Sequence, residues 1–169
     1  MSSAPLTHIV VGVVVERRKA DSPWIDFLWQ PVGTLPDAPE LPAWSVLREE
    51  GETVLFYAGS RTIDFHRSET ARYRDNLATG SPQLWVVLSP SEGQWPYTLA
   101  AVTADPAEGE AFTEAGANLV EVVAMPDAVR VIVENFVAEH HVEREFVKRK
   151  RDRANPEALA RRQPEGGQE

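Results

Sequence analysis

The stretch TIDFHRSETARYRDNL, residues 62–77, marks the point where a strand-rich half of the chain meets its first helix. Ile63 and Phe65 alternate with polar residues, which is the period-2 pattern of a half-buried β-strand. Ser68 is predicted as the N-cap of the helix that follows, and Gly80 lies just past the expected helix end. A strand therefore runs directly into a helix, and polar side chains are concentrated at their junction.

Two interpretations of this junction remain open. Its charged side chains are either solvated on a capped surface helix, or they form a site for an anion or a protein partner. Arginines offer planar forks of donors, and a helix start adds backbone N–H groups. Arg72 and Asn76 are expected to reach solvent or a neighbour. In the second interpretation the binding residues are Arg61, His66, Arg67, Glu69, Arg72, Tyr73, Arg74 and Asn76.

Length and composition indicate one domain of ordinary apolar content. The chain has 169 residues, of which 43% are hydrophobic, so it can bury a core without covalent staples. It contains no cysteine, which excludes disulfides, Fe–S ligation by this chain and a cysteine nucleophile. No run of about 18 apolar residues is present. We therefore expect no transmembrane segment and a cytoplasmic location.

Charge divides the chain in two. Residues 1–142 contain 9 Lys/Arg and 20 Asp/Glu, a balance of −11, whereas residues 143–169 contain 8 and 6, a balance of +2. We predict a single α+β domain over residues 1–142 and a basic, partly disordered C-terminal tail over residues 143–169. The tail either docks on a partner, is solvated, or clamps onto the acidic domain. Its docking residues would be Arg144, Phe146, Lys148, Arg149, Lys150 and Arg151.

Apolar periodicity, turn residues and caps predict the other elements. Gly12 is expected to mark a bulge or a close backbone approach, and Asp105 is expected to cap a helix. The fold class is α+β: a mostly antiparallel sheet of about seven or eight strands with three helices, the long C-terminal helix packed on the sheet. Strands are predicted at residues 8–16, 29–35, 44–48, 53–58, 61–66, 83–88, 97–103 and 118–125, with a turn at 58–60.

Motifs for common chemistries are missing from the sequence. It contains no G-x-S-x-G elbow, P-loop, G-x-G-x-x-G or H-E-x-x-H. We therefore predict no catalytic residue and no cofactor. His66, His140 and His141 are the histidines that could ligate a metal, but neighbours on a helix point about 100° apart. The alternative is that imidazoles cap the end of the last helix, and no metal site is predicted.

Three stretches carry a resemblance to a known family. They are GVVVERRKADSPWIDFLWQPVGTLP (12–36), FHRSETARYRDNL (65–77) and MPDAVRVIVENFVAEHHVEREFVKRKR (125–151). Over roughly residues 8–153 the chain resembles an uncharacterised proteobacterial domain of unknown function. The resemblance implies a genetic setting beside molybdenum-dependent formate dehydrogenase, and some members are labelled molybdopterin-guanine dinucleotide biosynthesis protein A. Nucleotidyltransferases of that type use a glycine-rich loop after the first strand, which is missing after residues 11–19 here.

These observations lead to two main hypotheses for the function. The first is a non-catalytic accessory protein that binds a formate dehydrogenase subunit or a maturation factor. The second is a small enzyme or carrier that binds a nucleotide- or pterin-like anion at the strand–helix junction, residues 61–76. Nucleic-acid binding through the basic tail is a third hypothesis, and the acidic domain argues against it.

Overall fold

A computed structural model describes residues 7–142 of the chain. Within them it contains seven strands and three α-helices, which confirms the predicted α+β class. The strands are β1 (Thr7–Lys19), β2 (Phe27–Leu35), β3 (Ser45–Glu50), β4 (Thr53–Phe65), β5 (Gln83–Pro90), β6 (Tyr97–Thr103) and β7 (Leu119–Ala124). The helices are α1 (Thr70–Ala78), α2 (Pro106–Glu114) and α3 (Asp127–His140).

The strands form two antiparallel sheets that share one hydrophobic core. One sheet has the order β2-β1-β4-β3 and the other β6-β5-β7. β4 lies against β6, and β2 lies against β7. Apolar side chains of β1 and β5 fill the space between the sheets, including Val11, Val13, Leu84 and Val86. Complete burial of such a side chain contributes roughly 2 kcal/mol to stability.

The two short strands predicted at residues 53–58 and 61–66 are one continuous strand, β4. The predicted turn at 58–60 is wrong, because a β-bulge occupies this place: Val13 pairs with Gly59 and Val14 with Tyr57, so Ala58 is the extra residue. Gly59 has a φ of 123°, which glycine adopts without a steric penalty. β1 pairs with both halves of β4, and these hydrogen bonds keep β4 continuous through residues that are typical of a turn.

A close backbone approach explains Gly12. A Cβ atom at this position would lie 2.6 Å from Cε1 of Tyr57, closer than packed atoms approach each other. The glycine therefore allows the buried Tyr57 ring to lie over β1. This outcome confirms one of the two roles predicted for Gly12.

β4 has neighbouring strands on both sides only along its first half. β3 pairs with β4 from Thr53 to Tyr57, whereas β1 pairs with it from Thr53 to Phe65. β6 pairs with β5 alone. Among the residues that the structure describes, residues 58–65 of β4 and the outer side of β6 are therefore unpaired strand edges. Such edges carry backbone N–H and C=O groups without a ladder partner.

The first and last helices pack over the end of β4. Phe136 of α3 contacts Phe65 and Tyr73, with ring centroids 5.6 and 6.0 Å apart. Val129 and Val133 of α3 extend into the core, which confirms that the long C-terminal helix packs on the sheet. None of the helices between residues 7 and 142 has the length and apolarity needed to cross a membrane.

The start of α1 differs from the sequence prediction. A 3₁₀ turn, Arg67–Glu69, precedes the helix, and Ser68 is therefore not its N-cap. The Ser68 hydroxyl instead donates to the Glu69 carboxylate over 2.9 Å. The His66 N–H donates to the Tyr73 hydroxyl over 3.0 Å. The Tyr73 hydroxyl thus satisfies the backbone N–H of the residue that precedes the 3₁₀ turn.

Candidate partner-binding groove

A groove with a volume of about 500 Å³ opens where the two unpaired edges face each other. It runs between the second half of β4 and β6, and residues of α1 and α2 line one end. We call it the junction groove. Its lining residues are Arg61, Thr62, Asp64, His66, Glu69, Arg72, Tyr73, Ala100, Ala101, Val102, Thr103, Asp105, Ala107 and Glu108.

The junction groove is bordered by backbone atoms as well as by side chains. Four consecutive residues of β6, 100–103, line it. Since alternate residues of a strand point to opposite faces, consecutive residues can share only the edge of the strand. Two of the four, Ala100 and Ala101, have side chains of a single methyl group. This part of the edge therefore leaves room for another main chain to approach.

Two carboxylates hold the guanidinium of Arg72. Its Nε donates to Asp105 Oδ1 over 2.7 Å and its Nη2 donates to Asp105 Oδ2 over 3.1 Å, a bidentate pair. Glu69 accepts a further hydrogen bond from Nη2. The hydrogen bond to Asp105 is the main reason that the pKa of Arg72 is raised above its ordinary value. The fork of Arg72 is occupied within the protein and is not presented to an incoming anion.

The corner between β6 and α2 forms a fixed acidic wall of the groove. Asp105 is the N-cap of α2 and accepts the Ala107 N–H over 2.9 Å, as predicted. The Asp105 N–H donates to the Thr103 hydroxyl over 3.0 Å. That hydroxyl donates to the Glu108 carboxylate over 2.6 Å. Each acidic side chain of this corner therefore has a partner that fixes its direction.

Tyr73 lies beneath the groove as a buried structural residue. Burial raises the pKa of its hydroxyl to about 12, although the hydrogen bond from the His66 N–H acts in the opposite direction. The side chain therefore stays neutral near physiological pH. It joins the 3₁₀ turn to the core and is not a candidate acid or base there.

Asn76 is buried, and of the two alternatives predicted for it, solvent or a neighbour, the structure shows the second. Only 4% of its surface is exposed. Its Nδ2 donates to the carbonyls of Gln83 and Ala104 over 2.8 and 3.1 Å, and its Oδ1 accepts the Gln83 N–H over 3.0 Å. Positions 70, 73 and 76 of α1 share the buried face, and helix geometry brings residues at this spacing together. Asn76 therefore connects α1 to β5 and to the residue that follows β6 in the smaller sheet.

The structure brings five of the eight predicted junction residues to the groove: Arg61, His66, Glu69, Arg72 and Tyr73. Arg67 and Arg74 are exposed but do not belong to the lining, and Asn76 is buried beside it. The Arg61 guanidinium donates to the neighbouring carbonyl of Ser60 over 2.8 Å. The predicted tail boundary and the tail-docking residues lie outside the described residues.

The junction groove is acidic, which the sequence prediction did not anticipate. Its four carboxylates and two guanidinium groups give a formal charge of −2 with His66 neutral. Asp105-Pro106 was recognisable only as a helix start, since the ion pair between Arg72 and Asp105 joins residues 33 positions apart. The carboxylates are Asp64, Glu69, Asp105 and Glu108.

The three histidines considered as metal ligands have separate contacts. His66 lines the groove, His140 packs against Phe136 with ring centroids 4.7 Å apart, and His141 Nδ1 lies 3.0 Å from Thr70 Oγ1. Between residues 7 and 142, no three His, Cys, Asp or Glu side chains are grouped so that they could hold a metal ion. The His141 contact does place the end of α3 beside the start of α1.

Comparison with known proteins identifies a family but no activity. No curated protein and no solved structure matches the chain significantly. A family model described as "Protein of unknown function (DUF3305)" matches residues 10–150, which include both edges of the junction groove. The resemblance to a domain of unknown function is therefore confirmed. The chain belongs to the family described as Protein of unknown function (DUF3305).

Proposed function

We propose that this protein is a non-catalytic accessory protein that binds a segment of a partner protein in the junction groove. The observation that carries the proposal is the pair of unpaired strand edges, residues 58–65 of β4 and the outer side of β6, that border this groove in the described part of the chain. Exposed edges bind extended segments through main-chain hydrogen bonds, and adjacent side chains supply specificity.

The charge of the groove favours a basic partner segment. Arg72 is already engaged by Glu69 and Asp105, while Asp64 lies exposed on the wall formed by β4. Exposed ion pairs add only about 0.2–1 kcal/mol each. Complementary charges nevertheless raise association rates and discriminate against partners of the same sign. We therefore expect main-chain pairing to supply the affinity and the acidic rim to select the partner.

The family resemblance supplies the partner class in this proposal. Its implied setting beside molybdenum-dependent formate dehydrogenase genes supports a formate dehydrogenase subunit or a maturation factor as the bound protein. In this proposal the protein supplies a docking surface and no reaction of its own. This agrees with a groove whose charged side chains are largely committed to internal contacts.

Affinity purification from the native host with quantitative mass spectrometry tests this proposal. The full-length wild type is compared with Asp64→Lys in the groove and with Asp21→Lys as a matched control. Asp21 is exposed beyond the Lys19 end of β1, whereas the groove lies toward the Thr7 end that pairs with Phe65.

We expect the wild type and Asp21→Lys to recover formate dehydrogenase or maturation proteins, and Asp64→Lys to recover roughly tenfold less, about 1.4 kcal/mol of binding. Equal recovery by all three chains would place the binding site elsewhere. Recovery of unrelated proteins alone would refute the partner class.

A second candidate function is a carrier for a nucleotide- or pterin-like anion. It is favoured by Arg61 and His66, which both line a groove large enough for a small ligand. A thermal-shift screen with nucleotides and molybdopterin forms tests it, since a ligand at 100 times its Kd stabilises by about 2.7 kcal/mol. A shift in the wild type that disappears in Arg61→Ala would favour this candidate over partner binding.

A further inference from the structure

The last described residues lie beside the start of α1, which borders the junction groove. His141 Nδ1 lies 3.0 Å from the hydroxyl of Thr70. Thr70 directly follows Glu69, which lines the groove. Residues 143–169 therefore begin near the start of α1, next to the groove-lining residue Glu69 in the chain.

The first part of this continuation is opposite in charge to the groove. Residues 144–151, REFVKRKR, contain five basic residues and one acidic residue, a balance of +4, whereas the groove lining has a formal charge of −2. The eight residues equal in number the unpaired edge of β4, residues 58–65. An extended chain of this length spans roughly 26 Å at about 3.3 Å per residue. The charge of the segment is therefore complementary to the groove, and its length matches the unpaired edge of β4.

The direction of the continuing chain is also compatible with binding in the junction groove. β4 and β6 both run from an aromatic cluster toward the groove: Phe56 and Trp95 are in ring contact at 5.1 Å, and later residues of both strands line the groove. A segment that enters beside Glu69 and runs back toward the aromatic cluster is antiparallel to both strands. All strand pairs in the two described sheets are antiparallel as well.

We propose that residues 144–151 of the chain itself occupy the junction groove, antiparallel to β4 and β6, and that a partner segment must displace them. The role of the displacing partner rests on the proposed function, whereas the intramolecular contact does not. A tethered segment competes at an effective concentration on the order of millimolar, so weak or mismatched partners are excluded. Displacement also frees the basic tail residues that the sequence predicts to dock on a partner.

Disulfide formation in the full-length chain tests the contact, because the wild type has no cysteine. Thr62→Cys places one thiol on the groove wall and Val147→Cys places the other in the middle of the segment. The control combines Val147→Cys with Ala71→Cys, which is exposed on α1 next to Thr70 but outside the groove lining.

We expect the groove pair to oxidise roughly tenfold faster than the control pair, since docking raises the local concentration of the thiol. The advantage should shrink in about 1 M salt, where charges are screened beyond a few ångströms. Equal rates, or faster oxidation of the control pair, would overturn the proposal.

Hydrogen exchange provides a second test that needs no cysteine. The full-length triple variant Lys148→Glu, Arg149→Glu, Lys150→Glu reverses charge inside the segment. Its matched control, Arg153→Glu, Arg161→Glu, Arg162→Glu, makes the same charge change beyond it. We expect amides of residues 58–65 to exchange roughly tenfold faster in the first variant only. Identical exchange in both variants would also refute the contact.

The two proposals fail in different ways. If Asp64→Lys loses the partner while the two cysteine pairs oxidise equally, the partner site stands and the intramolecular contact is refuted. If the groove pair oxidises faster but partner recovery is unaffected by Asp64→Lys, the tail occupies the groove and the proposed partner site is refuted.

Discussion

The two ends of the neighbouring strands β4 and β6 differ in composition: one end is aromatic and the other is charged. At the start of these strands, the rings of Trp29, Trp44, Phe56 and Trp95 contact one another at centroid distances of 5.1 to 6.5 Å. At the other end, the same strands border an open groove lined by charged side chains. β3 completes the sheet only at the aromatic end. The difference indicates that one end holds the fold together, whereas the other leaves strand edges open, as the proposed function requires.

Each end also accommodates an arginine in its own way. The Arg17 guanidinium lies over the rings of Phe27 and Phe56, 4.3 and 5.2 Å from their centroids. The guanidinium of Arg72 is instead held by carboxylates. Aromatic faces attract a cation without adding a charge to the site. The aromatic end therefore holds its arginine by ring faces, whereas the junction end holds its arginine in a network of charged side chains.

The largest expected effect on stability comes from disrupting the aromatic end. Phe56→Ala removes a ring that is 2% exposed and contacts three tryptophans, so we expect a loss of about 3–5 kcal/mol in the free energy of unfolding. Val46→Ala is the control, because Val46 is 52% exposed and should change stability by less than about 0.5 kcal/mol. Denaturant unfolding measures both variants. A loss for Phe56→Ala below about 1 kcal/mol would contradict the structural role of this end.

Asn76 is the exception at the junction end, since it is polar but structural. Asn76→Ala leaves the Gln83 N–H and two carbonyls without their partner, and we expect a loss of about 3 kcal/mol. Asn135→Ala on the exposed face of α3 is the matched control. Similar unfolding midpoints for the two variants would show that the Asn76 hydrogen bonds do not stabilise the fold.

Tyr73 makes the stability of the junction end sensitive to high pH. Its folded pKa of about 12 exceeds the ordinary value of 10.0, so the folded protein keeps a proton that the unfolded chain releases. Stability therefore falls as pH rises from about 10 to 12, by up to roughly 2–3 kcal/mol. Tyr73→Phe lacks the ionising group and should lose less stability over this range. Parallel pH profiles for wild type and variant, measured by chemical unfolding, would argue against this origin.

The smallest expected effect on stability is that of Asp64→Lys, which separates the role of the junction end in binding from a role in the fold. Asp64 is exposed on β4, and Asp64→Lys should change the free energy of unfolding by less than about 0.5 kcal/mol. We expect the same substitution to reduce partner recovery strongly. Thermal and denaturant unfolding of Asp64→Lys beside wild type check the first part. A loss above about 1 kcal/mol would mean that the groove wall serves the fold.

Local sequence patterns correctly predicted the elements that depend on residues close together in the chain. The strand predicted at 97–103 coincides with β6, and the Asp105 cap forms as expected. Both depend on residues within a few positions of each other: an apolar run bounded by turn residues, and Asp followed by Pro. The same holds for Gly80, whose φ of 85° ends the turn after α1.

Long-range contacts determine what the sequence could not show. The bulge at Ala58 exists because β1 pairs with both halves of β4. Asn76 is buried because Gln83 of β5 and Ala104 after β6 offer it backbone partners. The acidic character of the groove depends on Asp105 and Glu108, which the chain brings to Arg72 only after it has formed β5 and β6. None of these contacts joins residues at the spacing typical of a turn, helix or strand, so no local sequence pattern predicts them.

The most direct test of the account is the recovery of partner proteins by two chains with the same charge change at opposite ends of the molecule. Full-length Asp64→Lys alters the junction groove, and full-length Asp21→Lys alters the exposed turn beyond Lys19, near the aromatic end. We predict that Asp21→Lys recovers formate dehydrogenase or maturation proteins like the wild type and that Asp64→Lys does not. Equal recovery by both variants, or a loss confined to Asp21→Lys, would contradict the placement of function at the junction groove.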